Sequence, residues 1–212
     1  MAFDKEKLKA VILHTCETCK PSKLGAVKMH KVLYFADMLR YANVARSITG
    51  STYRKRPLGP TCDQLLEALS ELQSNELLEI KTVDYFGYQK KEYVAKVKAN
   101  TNQLSKDEIV LLDEVIKFVC DSNSAQTISE YSHNRAWEMV AFGDEIGYNS
   151  VFNIFPLEVS NETKEWAIAE VKRLEAQRQP KTPLGGKILG KFRDLVFQGR
   201  DTSRSGGLGR TA

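Results

Sequence analysis

Hydrophobic positions recur at helical spacing through the first part of the chain. Leu8, Ile12 and Cys16 share one face and predict an amphipathic helix over 4–19. The segment that follows is apolar around most of its circumference, which is typical of a helix central to a core. We expect this second helix to end near Tyr41.

Beyond this helix the pattern becomes mixed. Gly, Pro and aromatic residues between 42 and 61 indicate a loop with one or two short strands. Alternating polarity then predicts a β-hairpin with a turn near 84–87. Three capping-box patterns predict helix starts, at Thr61–Gln64, Ser105–Glu108 and Thr127–Glu130. These starts predict helices over about 62–74, 105–119 and 127–137, and weaker periodicity predicts a last helix over about 160–178.

These elements predict an α+β fold that is mainly helical, with a small antiparallel β-hairpin or sheet. Three helices followed by a hairpin is the winged-helix-like order of elements. DNA reading would require basic or amide side chains on the would-be recognition helix, 62–74. That segment carries Asp63, Glu67 and Glu71 on one face and no Lys or Arg. The pattern therefore favours the shape of a winged helix and argues against a nucleic-acid partner.

The charge of the chain is concentrated at one end. The formal net charge of the 212 residues is +4, but residues 180–212 contribute +5 and seven of the 13 glycines. The remainder is close to neutral, which removes the argument for a basic folded surface. We expect 180–212 to be a basic, Gly-rich, disordered tail. No long uncharged apolar run or signal peptide is evident, so we expect a cytoplasmic protein with no membrane partner.

Candidate chemistry in the sequence is sparse. Cys16 and Cys19, three residues apart, continue the apolar stripe of the first helix and lack a second ligand pair for zinc. A nucleophile, base and acid can be assembled on paper from Cys62 or Ser132, His30 or His133, and Asp37. No recognised catalytic or phosphate-binding motif accompanies them. We therefore expect no enzymatic activity, no metal and no cofactor.

Two stretches, 28–60 and 128–137, carry the most distinctive pattern. The first contains a K-x-x-K-V-L-Y-F-A-D helix, then I-T-G-x-x-Y, then G-P; the second contains I-S-E-x-S-H-x-x-A-W. The residues singled out by these motifs are Lys31, Tyr34, Asp37, Thr49, Gly50, Tyr53, Gly59, Pro60, His133 and Trp137.

This pattern resembles the Panacea domain of the SocA-like antitoxin family. The resemblance spans about 5–155, and one departure from the family pattern is Leu58, where an aromatic residue is common. It implies a Panacea-like domain over 1–158, and the predicted C-terminal helix, 159–179, and the tail lie outside the signature. It also implies an antitoxin of a toxin–antitoxin system, often prophage-borne, whose partner is a cognate protein toxin.

The resemblance brings no catalytic residues and leaves several mechanisms open. Neutralisation by direct binding is the main hypothesis, and a proteolytic adaptor that delivers the toxin to a bacterial protease is the alternative. A DNA-binding autoregulator and an enzymatic antitoxin rank lower, and a homo-oligomer stays open. The expected toxin-binding residues are of hot-spot types at turns, and they are Arg54, Arg56, Tyr85, Phe86 and Tyr88.

Overall fold

The structure is a computed structural model, and it describes residues 2–154 and 161–177. The chain divides into two units, Met1–Leu157 and Glu158–Ala212. The predicted tail, 180–212, lies outside the described residues. The predicted last helix is α8, Asn161–Gln177, in the second unit.

The first unit is built around its second helix. Helix α1, Lys5–Thr18, is capped by Asp4, whose carboxylate accepts the Lys7 amide at 3.0 Å. Helix α2, Ala26–Val44, continues three residues past its predicted end and stops where Ala45 turns left-handed. More than half of its side chains are buried, as its nearly continuous apolar surface predicts.

Two short strands and a long hairpin follow α2. Strands β1, Tyr53–Arg54, and β2, Thr61–Cys62, pair antiparallel and confirm the short strands predicted for this loop. Helix α3, Leu65–Ser74, precedes the hairpin of β3, Leu78–Tyr85, and β4, Tyr88–Ala95.

The capping box predicted at Thr61–Gln64 is wrong. Thr61 belongs to β2, and its hydroxyl donates to the Gly59 carbonyl. The Gln64 side chain accepts the Thr52 amide at 3.0 Å, so α3 begins only at Leu65. Strand pairing and loop contacts therefore use the groups that a cap would need.

The remaining helices complete the core. Helix α4, Lys106–Ile116, has the predicted capping box of Ser105 and Glu108, and a π-helical turn over Lys117–Asp121 continues it. Helices α5, Ala125–Ser132, and α6, Arg135–Glu138, occupy the range predicted as one helix. Helix α7, Val151–Ile154, which the sequence did not predict, contacts α2 and α6.

The helix predicted to start at residue 127, from the Thr127–Glu130 pattern, starts two residues earlier, at Ala125. Ser124 caps α5 by accepting the Thr127 amide at 3.0 Å. The helix breaks after Ser132, where α5 ends. Asn134 then caps α6, because its side chain accepts a hydrogen bond from the Trp137 backbone amide. The break directs His133 and Trp137 toward the loop before β2.

Mainly helical α+β architecture is thus confirmed, and the order of α1 to α3 and the hairpin is the winged-helix-like order. No helix among the described residues is long and apolar enough to cross a membrane.

Candidate functional site

Asp37, a family-motif residue of α2, is fully buried. Its carboxylate accepts hydrogen bonds from two backbone amides and three hydroxyls. The donors are the amides of Ile48 and Thr49 and the hydroxyls of Thr49, Tyr53 and Tyr148, at distances of 2.5–3.1 Å. Burial raises the pKa of Asp37, and these hydrogen bonds act in the opposite direction. Asp37 therefore fixes the 47–53 loop to α2.

Gly59 and Pro60 form a tight contact with Lys31. Lys31 is 1% exposed, and its ammonium nitrogen donates to the Pro60 carbonyl at 3.0 Å. Gly59 has a φ of +92°, and a Cβ there would lie 2.5 Å from that nitrogen and 2.1 Å from Oγ of Ser132. Glycine is thus required both by the backbone angle and by the space available. Burial lowers the pKa of Lys31 to about 7.

His133 and Trp137 hold the loop that carries Arg56. The two rings stack with centroids 4.2 Å apart, and the Trp137 indole donates to the Arg56 carbonyl at 3.2 Å. Lys55, which sequence reasoning missed, places its ammonium 4.0 Å from the Trp137 ring centroid. Trp137 is partly buried, so this motif residue shapes the loop while Arg56 itself stays exposed.

The side chains considered for a nucleophile–base site are not arranged as a nucleophile hydrogen-bonded to a base. His30 Nδ1 accepts the backbone amide of Cys62 at 3.1 Å, and burial lowers the pKa of His30 to about 4. Burial raises the pKa of the Cys62 thiol to about 11, which keeps it protonated at neutral pH. The Ser132 hydroxyl donates to the Ser129 carbonyl at 2.6 Å, and Asp37 bonds to its own set of donors.

The four cysteines are all buried, with Cys16 and Cys19 in the core as predicted. No group of three or more His, Cys, Asp or Glu side chains suited to a metal ion occurs in the described part of the chain.

The acidic face predicted near α3 is largely engaged within the molecule. Lys5 of α1 contacts Glu67 and Glu71 at 2.7 Å each. Arg54 contacts Asp63 at 2.6 Å. Because these carboxylates have intramolecular cations, the expectation of a free acidic face is corrected to a surface of ion pairs.

The five expected toxin-binding residues differ in exposure. Arg54 is half-buried and held by Asp63 and the Gly143 carbonyl, whereas Arg56 is exposed. The hairpin aromatics are exposed too: Tyr85 by 54%, Phe86 by 86% and Tyr88 by 76%. Arg54 is therefore a structural residue by its contacts, and the other four remain available to a partner.

Two clefts bring the Arg56 loop and the hairpin together at the start of α2. Arg56 lines one cleft and Tyr85 lines the other, and Phe86 and Tyr88 adjoin Tyr85 at the hairpin tip. A cleft of about 400 Å³ is lined by the Arg56–Leu58 loop and the first turn of α2. A second cleft of about 600 Å³ lies between that turn and the hairpin. Ala26 and Val27 line both clefts, so the loop, the start of α2 and the hairpin tip adjoin each other. We call this surface the hairpin–loop face.

A third, apolar groove of about 380 Å³ lies between α2, α4 and α5, where Leu39, Phe118 and Tyr131 are among its walls. Glu114 is the charged side chain that lines it. The groove has no charge pattern that would specify an occupant, unlike the hairpin–loop face.

The motif side chains are thus largely internal, and aromatic and cationic groups lie outside. The family model described as "Antitoxin SocA-like, Panacea domain" matches residues 29–138, more than half of the chain. The chain belongs to the SocA-like antitoxin family with a Panacea domain. A search of curated proteins and a search of solved structures each found no match.

The match covers both motif stretches from Met29 onward, so the resemblance inferred from them is confirmed. Sequence reasoning missed Lys55 and Tyr148, and it included Lys28 in the motif without singling it out; all three occupy buried or half-buried positions. Lys28 and Lys55 give little signal in a sequence, because a lysine is normally expected at the surface.

Proposed function

We propose that the protein is a non-enzymatic, cytoplasmic antitoxin that neutralises its cognate protein toxin by direct binding. Family membership supports the antitoxin role and a toxin partner. The binding mechanism is supported by one observation above all: Arg56 and Tyr85 line two clefts that meet at Ala26 and Val27, and the exposed rings of Phe86 and Tyr88 adjoin Tyr85.

The chemistry of that face suits a protein partner. Phe86 and Tyr88 expose most of their ring surface, and Arg56 lies beside the exposed Leu58. Aromatic and Arg side chains dominate binding energy in many protein interfaces. Aromatic rings bury large areas with few rotatable bonds, and the Arg guanidinium offers several donors and stacks on rings. A partner that covers these side chains would remove apolar surface from water.

The polar side chains along α2 and the Cys62 thiol support the same proposal from the inside. Asp37, Lys31 and His30 each bond to backbone or side-chain groups of this chain, and the Cys62 thiol is protonated at neutral pH. These contacts explain the motif as a scaffold that positions the loop and the start of α2. The proposal therefore requires no reaction by these groups.

The test is co-expression of the chain with the product of the neighbouring gene. We expect growth to be restored and the two proteins to co-purify. The double variant Phe86→Ser/Arg56→Ser should lose co-purification, while the control Val110→Ser, an exposed apolar residue of α4, should keep it. Failure of the wild-type chain to restore growth or to co-purify would contradict neutralisation by binding.

A further inference from the structure

The cleft between the hairpin and the first turn of α2 is lined by four lysines. They are Lys23, Lys28, Lys90 and Lys91, and no carboxylate is among the described residues that line it. Tyr85 forms part of the wall, with the Lys90 ammonium 5.3 Å from its ring centroid. The cleft therefore combines positive charge with an aromatic surface.

Two of the four ammonium groups have a carboxylate partner. Lys23 contacts Asp121 at 2.7 Å, and Lys90 contacts Glu92 at 3.1 Å. The other two form no ion pair with a described residue. Positive charge is thus left over at the cleft.

The two unpaired lysines hold different positions. Lys28 belongs to the cleft wall and is only 7% exposed, and its ammonium donates to the Cys120 carbonyl at 3.0 Å. Lys91 is exposed on β4. The N-terminus of α2, where Gly25 supplies no capping side chain, reinforces the sign that the lysines set.

The occupant must be anionic, and the surroundings favour a polypeptide over a nucleic acid. A nucleic-acid backbone needs an extended basic track, because its affinity comes from many phosphate contacts. Residues 1–179 instead have a net charge of −1, because the whole chain carries +4 and residues 180–212 alone carry +5. A local cleft of about 600 Å³ matches a few acidic side chains.

We infer that this cleft binds an acidic segment of polypeptide, with its carboxylates on Lys28 and Lys91 and its apolar atoms on Tyr85. The inference rests on the proposed function, in which that segment belongs to the toxin.

The first test uses hexaglutamate as the probe and the full chain, followed by amide NMR at low ionic strength. We expect the amide signals of Ala26, Val27 and Ala125, which line the cleft, to shift on titration. The variant Lys91→Glu should weaken binding by about fivefold or more, because it reverses an exposed charge at the site. The control Lys98→Glu, an exposed lysine beyond the far end of β4, should change it less than about twofold.

Shifts confined to residues away from the cleft, or equal affinity in Lys91→Glu, would overturn the inference. Larger shifts of the same amides with oligothymidylate than with hexaglutamate would also overturn it, and would assign the cleft to nucleic acid.

The second test uses the toxin identified by co-purification. Binding that weakens in Lys91→Glu and with rising salt, but not in Lys98→Glu, supports the inference. If wild-type chain binds the toxin and Lys91→Glu binds it equally, the inference fails while the proposed function stands. If hexaglutamate occupies the cleft but no toxin binds, the proposed function fails alone.

Discussion

At the scale of single residues, the motif is explained by close packing around Lys31. Gly59 lies where the Lys31 ammonium and the Ser132 hydroxyl leave no room for a side chain. Gly87, at the hairpin tip, also has a positive φ, but nothing lies within 4 Å of the position that a methyl group would take there. The two glycines therefore separate the effect of backbone strain from the effect of crowding.

We predict that Gly59→Ala lowers the free energy of unfolding by ~3 kcal/mol or more, because strain and a steric clash add together. Gly87→Ala should lower it by only ~1 kcal/mol, because only the backbone angle resists the methyl group. Urea unfolding of both variants checks this. Equal losses in the two variants would contradict the crowding at Gly59.

The buried Lys31 also makes the stability of the fold depend on pH. Its pKa falls from 10.5 to about 7 on folding, because burial disfavours the ammonium. Between these two pH values the unfolded chain binds more protons than the folded chain, so this group makes stability rise with pH.

We predict that the stability of wild type relative to Lys31→Met rises between pH 7 and pH 10. The limiting slope is ~1.4 kcal/mol per pH unit, the value for one proton. Subtracting the free energy of unfolding of Lys31→Met from that of wild type cancels the contribution of the cysteines, which titrate in the same pH range. Urea unfolding at several pH values measures it, and a flat or falling difference would show that Lys31 has an ordinary pKa in the fold.

Residue chemistry was only partly predictable from the sequence. The motif identified Asp37 and Gly59, but their roles depend on Tyr148 and Ser132, which lie far away in sequence. Arg54 was expected at a binding surface because Arg is common there, yet Asp63 and the Gly143 carbonyl hold it. Spacing along a chain does not report which partners a loop residue finds.

At the scale of elements, the hairpin turn is unusual. Phe86 and Gly87 form the two-residue turn between paired Tyr85 and Tyr88, and both have positive φ, +52° and +83°. Such turns favour Asn or Gly at the first position, and a bulky aromatic residue there is disfavoured. An exposed Phe in this position lowers stability without packing into the core.

We predict that Phe86→Asn raises the free energy of unfolding by about 0.5–1 kcal/mol, because Asn tolerates the left-handed conformation. The same variant should weaken toxin binding, since it removes an aromatic contact. Thermal unfolding and calorimetric titration measure the two effects. The matched control, Gly87→Asn, keeps Phe86 and should keep the binding affinity, and a stabilised Phe86→Asn variant with unchanged affinity would leave Phe86 without a binding role.

The positions at which helices begin show where local sequence rules hold. The capping box of Ser105 and Glu108 forms as predicted, because both groups are local and nothing else competes for them. The pattern at Thr61–Gln64 fails because β-pairing and the Thr52 amide take those groups. Periodicity across 127–137 also did not reveal the break at His133, which is set by the loop that His133 and Trp137 contact.

At the scale of the whole molecule, direct binding makes a prediction about amounts. A protein that acts by occupying its toxin must be present in at least equal numbers, whereas a catalyst need not be. We therefore expect growth rescue only when the antitoxin reaches about one copy per toxin. Titrated expression with quantitative immunoblotting measures this ratio, and full rescue well below one copy would contradict direct binding and support a reusable antitoxin, either an enzyme or a proteolytic adaptor.

The overall architecture was the most predictable level. Helix periodicity, the alternating hairpin and the apolar second helix together give the mainly helical α+β class. The joining of the hairpin tip and the Arg56 loop into one face was not predictable, because it depends on how α2 passes between them.

The burial of all four cysteines has a practical consequence for spectroscopy. Each native thiol is at most 5% exposed, so a maleimide dye should leave the folded chain unmodified. A single cysteine introduced at Gln89, an exposed position on β4, would then be the reactive one. Fluorescence reporters can therefore be attached beside the hairpin tip without first removing the native sulfhydryl groups.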